Sequence, residues 1–80
     1  MNQTYEGNFD GRGLKIGIVA SRFNDFIVDH LVRGAREGLR KCGVPEGSVD
    51  LAWVPGSMEL AFAAKGMAES GKYEALVCVG

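Results

Sequence analysis

Residues 49–60 run from an apolar strand through a Pro-Gly turn into a helix, and this order restricts the fold most. The central residues of this segment are Trp53-Val54-Pro55-Gly56-Ser57-Met58-Glu59-Leu60. We expect Ser57 to cap the helix, because its side-chain oxygen can accept from the first free backbone N–H groups. Glu59 falls in the first turn, where the helix dipole favours a carboxylate. Open α/β proteins hold their ligands at strand-to-helix turns of this kind.

Two further apolar runs, at residues 14–20 and 74–79, are typical of parallel strands that are buried on both faces. Between the first two strands, a helix begins at Asn24 or Asp25 and ends at Gly43. Its predicted buried stripe is Val28, Leu31, Val32, Ala35, Leu39 and Cys42, and its predicted exposed ion pairs are Asp29 with Arg33 and Glu37 with Lys41.

The second helix is predicted from residue 57 to about residue 70, with Gly71 closing it. Its predicted buried stripe is Leu60, Ala61, Ala64, Met67 and Ala68. The result is a β-α-β-α-β unit over residues 14–80, preceded by a polar arm or edge strand at residues 1–13. Right-handed crossovers with a reversal after the second strand predict a flavodoxin-like α/β/α sandwich with a parallel sheet of strand order 2-1-3.

In that topology the carboxyl ends of the three strands lie on one rim of the sheet, at Ala20, Pro55 and Gly80.

The third strand would be an apolar edge, which is an aggregation liability in a small domain. We therefore expect further strands beyond Gly80, or a partner chain that supplies them. Residues 1–80 are then the N-terminal half of a single domain.

Composition argues against several classes of function. The formal net charge of −1 gives no electrostatic basis for binding nucleic acid or an anionic membrane. The apolar runs are too short to span a bilayer, and the polar N-terminus does not resemble a secretion signal, so we expect a cytoplasmic protein. Cys42 and Cys78, read as reduced apolar residues, and a single histidine offer no metal-ligand spacing.

The two turns that follow the first and second strands carry the candidate ligand-binding side chains. Phe23 can stack on a flat heterocycle, or it can be a hydrophobic plug on the helix it precedes. Glu59 can accept two hydrogen bonds from a ligand, or it can serve only the helix dipole. Ser57 and Met58 can line a pocket, or they can simply cap and pack. The residues alone leave these alternatives open.

Three other residues near the turns are read as structural. Trp53 lies midway along an apolar run and is expected in the core. Arg22 can meet an anion, but a surface arginine after a strand is usual. His30 lies off the main stripe of its helix without a partner, so we expect a surface residue and not a catalytic base.

Three segments resemble the lumazine synthase family of riboflavin biosynthesis. Residues 13–24 resemble its opening strand and R-F-N turn, and residues 53–60 resemble its V-P-G-[SA]-x-E turn. Residues 72–80 resemble the strand that leads to the family's next ligand loop. The similarity covers nearly the whole chain, and its two turn motifs are in register.

The resemblance implies an enzyme that condenses 5-amino-6-(D-ribitylamino)uracil with 3,4-dihydroxy-2-butanone 4-phosphate to 6,7-dimethyl-8-ribityllumazine, without a cofactor or metal. It implies that Phe23 stacks on the pyrimidine. It also implies that Ser57, Met58 and Glu59 bind the polar edge of the pyrimidine and the ribityl chain.

In the family, a T-[VI]-I-R-G-x-T-x-H segment follows the position of Gly80 and brings a phosphate loop and a proton-shuttling histidine. We therefore expect residues 1–80 alone to be inactive, the alternative being a shell or scaffold component without activity. The resemblance implies a homopentamer or an icosahedral shell of sixty subunits, with riboflavin synthase as a further partner. It also suggests that residues 4–9 add a strand to a neighbouring subunit.

Overall fold

The computed structural model describes residues 11–80. The expectations for residues 1–10, including the added strand at residues 4–9, lie outside the described residues. The elements are β1 (Ile16–Ser21), α1 (Asp25–Lys41), a short 3-10 helix (Glu46–Ser48), β2 (Val49–Val54), α2 (Ser57–Glu69) and β3 (Ala75–Val79). The predicted alternation of strands and helices is confirmed.

The three described strands form one parallel sheet in the order β2-β1-β3, which confirms the flavodoxin-like arrangement. Ile16 begins the register opposite Val49 and Ala75. At the other end, Ala20 lies opposite Trp53 and Val79. The strands therefore end together, and all three carboxyl ends lie at the same edge of the sheet.

The core lies around β1, whose six residues are all buried because the strand has a neighbour on both sides. Val28 and Val32 of α1 are buried and form a cluster with Ala20. Leu51, Trp53 and Val79 are partly buried against this cluster. The centre of the predicted α1 stripe is therefore confirmed.

The margins of the predicted stripes are exposed. Leu31, Ala61 and Ala68 are exposed, as are Ala75 and Cys78 on β3, so these five expectations of burial are wrong for the described chain. The other residues of the predicted α2 stripe are only half-buried. A helix packed on a sheet of only three strands buries a narrow stripe of its surface. Residues about 100° around the helix from that stripe stay exposed. β3 has no described neighbour beyond it, so one side of that strand is open.

Both helices begin where the sequence predicted, but neither has the expected side-chain capping bond. Gly56 occupies the N-cap of α2 in an extended conformation, without a side-chain capping bond, and Ser57 is already helical. The expectation that Ser57 caps α2 is therefore wrong. Asn24 is the N-cap of α1, but its side chain makes no capping bond either. Gly43 and Gly71 have φ of +91° and +73° and follow the helices as expected.

One of the two predicted ion pairs on α1 is present. Asp29 Oδ2 lies 3.0 Å from Arg33 Nε, as predicted. Glu37 bonds to Arg40 and not to Lys41, with Oε1 2.6 Å from Nη2 and Oε2 3.1 Å from Nε. The planar guanidinium can donate parallel bonds from two nitrogens to the two carboxylate oxygens, whereas an ammonium donates from a single nitrogen. This hydrogen bonding, with the charge of Arg40, lowers the pKa of Glu37.

Gly17 lets α2 approach β1 closely. A Cβ at residue 17 would lie 2.6 Å from Met67 Cε and 2.8 Å from Leu76 Cδ2. We expect Gly17→Ala to lower the free energy of unfolding by about 1–3 kcal/mol, because both side chains must move. Gly34→Ala is the control, since a Cβ there meets no described heavy atom within 4 Å. It should raise that free energy by about 0.5–1 kcal/mol. Urea unfolding measures both, and a stabilised Gly17→Ala would contradict this packing.

Tyr73 bonds to β2 near the amino end of the sheet. Its hydroxyl donates to Asp50 Oδ2 at 2.6 Å, and Lys15 Nζ lies 5.9 Å from its ring centroid. The bond to Asp50 raises the pKa of Tyr73, and desolvation and the carboxylate charge add to this effect. Since the folded pKa is raised, this stabilisation is complete below the pKa of the unfolded tyrosine and is lost as pH rises through the folded pKa.

We expect an absorbance titration of Tyr73, made in a Tyr5→Phe background, to give an alkaline midpoint above that of free tyrosine. Asp50→Ala should return the midpoint toward the ordinary value because the acceptor is gone. The same midpoint with and without Asp50 would show that the bond does not form in solution.

Candidate functional site

The carboxyl edge of the sheet brings the predicted turns together. The Arg22 N–H donates to the Val54 carbonyl at 2.8 Å, which ties the turn after β1 to the end of β2. Gly80 also lies against this edge, since a Cβ there would be 3.2 Å from Ser21 Cβ and 2.6 Å from Leu60 Cδ1. We call residues 21–24, 54–59 and 80 the carboxyl rim.

Phe23 is presented to solvent on this rim. Its side chain is 80% exposed, which does not fit the alternative of a hydrophobic plug. Its N–H donates to Ser21 Oγ at 3.1 Å, so the backbone of the turn is held by a side chain of β1. An exposed aromatic ring on a fixed turn offers a flat apolar face to a ligand.

The other three predicted site residues open α2 on the same rim. Ser57, Met58 and Glu59 are all exposed, and the Met58 side chain is 86% exposed. The Glu59 N–H donates to the Gly56 carbonyl at 3.2 Å, which closes the first turn. Glu59 Oε1 lies 3.4 Å from the point where a Cβ of Gly56 would be, so the carboxylate lies beside the N-cap. A carboxylate in the first turn of a helix interacts favourably with the helix dipole.

A contact between Arg22 and Trp53 was not anticipated. The Arg22 guanidinium carbon lies 4.8 Å from the centroid of the Trp53 ring. Trp53 is half-buried and packs on the core, so its expected place is confirmed in part. The parallel register could have revealed the contact, because Trp53 lies opposite Ala20 and Arg22 follows two residues later on the same face.

A concave surface lies at the opposite edge of the sheet, away from the carboxyl rim. This open groove of about 320 Å³ is lined by Phe62, Ala63, Gly66, Met67, Ser70, Lys72 and Tyr73, and we call it the α2 groove. None of the sequence-predicted site residues lies in it. In open α/β sheets ligands bind at the carboxyl ends of the strands, and the α2 groove lies at the amino ends. The carboxyl rim is therefore the better candidate site.

His30 is exposed in the second turn of α1, as expected. The expectation that it lacks a partner is wrong, because its Nδ1 lies 2.8 Å from the Phe26 carbonyl oxygen and its ring centroid 4.8 Å from that of Phe26. Within residues 11–80, no three His, Cys, Asp or Glu side chains come together in a way that could hold a metal ion. No helix in the described part of the chain is long and apolar enough to cross a membrane.

Comparison with known families agrees with the motifs of both turns. The sequence model of 6,7-dimethyl-8-ribityllumazine synthase matches residues 13–80. This range includes every described strand and helix and all four candidate site residues. The chain therefore belongs to the 6,7-dimethyl-8-ribityllumazine synthase family, a family of transferases in riboflavin biosynthesis.

Proposed function

We propose that the carboxyl rim binds 5-amino-6-(D-ribitylamino)uracil for condensation with 3,4-dihydroxy-2-butanone 4-phosphate. The product is 6,7-dimethyl-8-ribityllumazine, formed with loss of inorganic phosphate and two water molecules. One observation carries the proposal: an aromatic ring that is 80% exposed shares a strand-end rim with the first turn of α2. A flat apolar surface and a carboxylate on one rim suit a flat, hydrogen-bonding heterocycle.

Phe23 supplies the stacking surface in this proposal. Its ring gains little from packing within the described chain, since most of it is in water. Stacking on a pyrimidine would remove apolar area of both partners from water. The turn is fixed by bonds to Ser21 and Val54, so little ordering of the backbone is required when the ligand binds.

The first turn of α2 supplies the polar contacts. Glu59 can accept hydrogen bonds from two ring N–H groups or ribityl hydroxyls, because an ionised carboxylate has two acceptor oxygens. Ser57 can donate or accept through its hydroxyl, which is free of a capping bond. Met58 offers an adaptable apolar side chain at the edge of the ring.

None of the rim residues 21–24, 54–59 and 80 is a histidine. The one histidine of the chain, His30, lies in the second turn of α1 against the Phe26 carbonyl. We propose that residues 11–80 bind and orient the pyrimidine and that a histidine from elsewhere moves the protons.

We also propose that the working protein is a homopentamer or a shell of such pentamers, with riboflavin synthase as a further partner. The exposed apolar side chains of Phe26, Ile27 and Leu31 on α1 support association of copies. Native mass spectrometry tests this proposal, and a purely monomeric protein would contradict it.

Two measurements on the purified chain test the proposed function. Calorimetric titration with 5-amino-6-(D-ribitylamino)uracil should show binding, and fluorescence should show no 6,7-dimethyl-8-ribityllumazine when both substrates are added. Binding without turnover supports a substrate-binding unit of the enzyme. Absence of binding would favour the scaffold alternative, and measurable turnover would contradict the claim that the proton-transferring groups lie elsewhere.

A further inference from the structure

We infer that the Ser21 hydroxyl is a positioning group that fixes the turn carrying Phe23, and that it thereby sets the affinity for the pyrimidine ring. The inference about affinity rests on the proposed function. Ser21 is the last residue of β1, and its side chain is fully buried. It is therefore out of reach of a ligand on the rim and can act only through a neighbouring residue.

The hydrogen bond of Ser21 accounts for the burial of a polar group in an otherwise apolar strand. Ser21 Oγ accepts from the Phe23 N–H at 3.1 Å, two residues along the chain. A buried hydroxyl without a partner would be costly, so this bond is strongly favoured in the folded state. Serine forms such turns because its short side chain reaches the backbone two residues on.

The turn is thus held at two successive amides. The Arg22 N–H bonds to the Val54 carbonyl of β2, and the Phe23 N–H bonds to Ser21 Oγ. The Phe23 ring is exposed and has little packing of its own to fix it. Its orientation therefore depends on the backbone of this turn, and the Ser21 hydroxyl holds the residue that bears the ring.

Amide hydrogen exchange tests the positioning without any ligand. We expect Ser21→Ala to speed exchange of the Phe23 amide by about two- to tenfold, the equivalent of one net hydrogen bond. The Arg22 amide is the internal control, because its bond to Val54 is retained. Ser21→Thr keeps the oxygen and should restore slow exchange. Unchanged exchange at Phe23 in Ser21→Ala would overturn the inference.

A double-mutant cycle tests the consequence for binding. Ser21→Ala should weaken the binding of a ribityl-pyrimidine analogue by about two- to tenfold, and it should have no further effect in a Phe23→Ala background. Additive effects of the two substitutions would overturn the inference and leave the proposed function intact. If Phe23→Ala itself leaves affinity unchanged, the stacking proposal fails, and the role of Ser21 in affinity fails with it.

The cycle requires only the two single alanine variants and the double variant, so it decides the question even if Ser21→Thr does not fold. Urea unfolding of each variant supplies the structural control. A general loss of stability would speed exchange at the Arg22 and Phe23 amides together, whereas a positioning role predicts faster exchange at Phe23 alone.

Discussion

Phe23→Ala is expected to weaken binding of a ribityl-pyrimidine analogue by about 1–3 kcal/mol, which is roughly five- to 150-fold in Kd. The variant loses the stacking face that Phe23 presents on the carboxyl rim. It should leave the free energy of unfolding nearly unchanged, because the side chain is 80% exposed. Calorimetric titration and urea unfolding of the same preparation measure both quantities.

Phe62→Ala is the matched control for this prediction. Phe62 is 83% exposed and lines the α2 groove at the opposite edge of the sheet. Its removal should leave the affinity for the analogue unchanged. If Phe62→Ala weakened binding and Phe23→Ala did not, the ligand would belong in the α2 groove and the carboxyl rim would be excluded as its site.

Glu59→Gln is expected to weaken binding of the same analogue by about 1.5–3 kcal/mol, the usual value of a hydrogen bond to a charged group. The substitution keeps the shape of the side chain but replaces one acceptor oxygen with a donor. A small loss of stability is also expected, since a carboxylate in the first turn of α2 interacts favourably with the helix dipole. A ligand contact predicts a loss of binding free energy larger than the loss of unfolding free energy. A purely structural role predicts the loss of stability without the loss of affinity.

Glu69→Gln provides the comparison within the same helix. Glu69 is in the last turn of α2, where its carboxylate lies 3.9 Å from the Lys65 ammonium in an exposed pair. Its substitution should change neither affinity nor stability by more than about 0.5 kcal/mol. Equal affinities of the Glu59→Gln variant and the wild-type chain would leave Glu59 as a helix-dipole residue only.

The sheet and its rim could be predicted because they depend on strong local signals. Apolar runs at β1 and β3 and a glycine after each helix define the elements, and right-handed crossovers then leave few topologies. The side chains that follow the strands must meet at one edge in any such fold. For this reason the sequence could place Phe23 and Glu59 on one rim, whereas their role in ligand binding came from the family resemblance and stays a prediction.

The remaining details depend on contacts that periodicity does not encode. Leu31 belongs to the apolar stripe of α1 but is exposed, whereas Val28 and Val32 of the same helix are buried. Within α1, Glu37 pairs with Arg40 three residues on and not with Lys41 four residues on, a choice between two local partners that spacing alone does not settle. The close approach of Met67 to Gly17 joins distant parts of the sequence.

The hydrogen bond of Ser21 is a local feature, but its significance depends on complete burial of the hydroxyl. A serine at the end of a strand is ordinarily exposed or partly exposed, and nothing in the sequence distinguishes this one. The structure provides the missing fact, since Ser21 is fully buried and its oxygen bonds to the Phe23 amide.

An NMR titration with 5-amino-6-(D-ribitylamino)uracil tests whether the pyrimidine binds at the carboxyl rim, because it locates the ligand on the folded chain. We expect the amide signals of Phe23, Met58 and Glu59 to shift with a common Kd. The signals of Met67 and Tyr73 in the α2 groove should stay in place. Shifts confined to the α2 groove, or no shifts at all, would contradict the assignment of the carboxyl rim as the pyrimidine site.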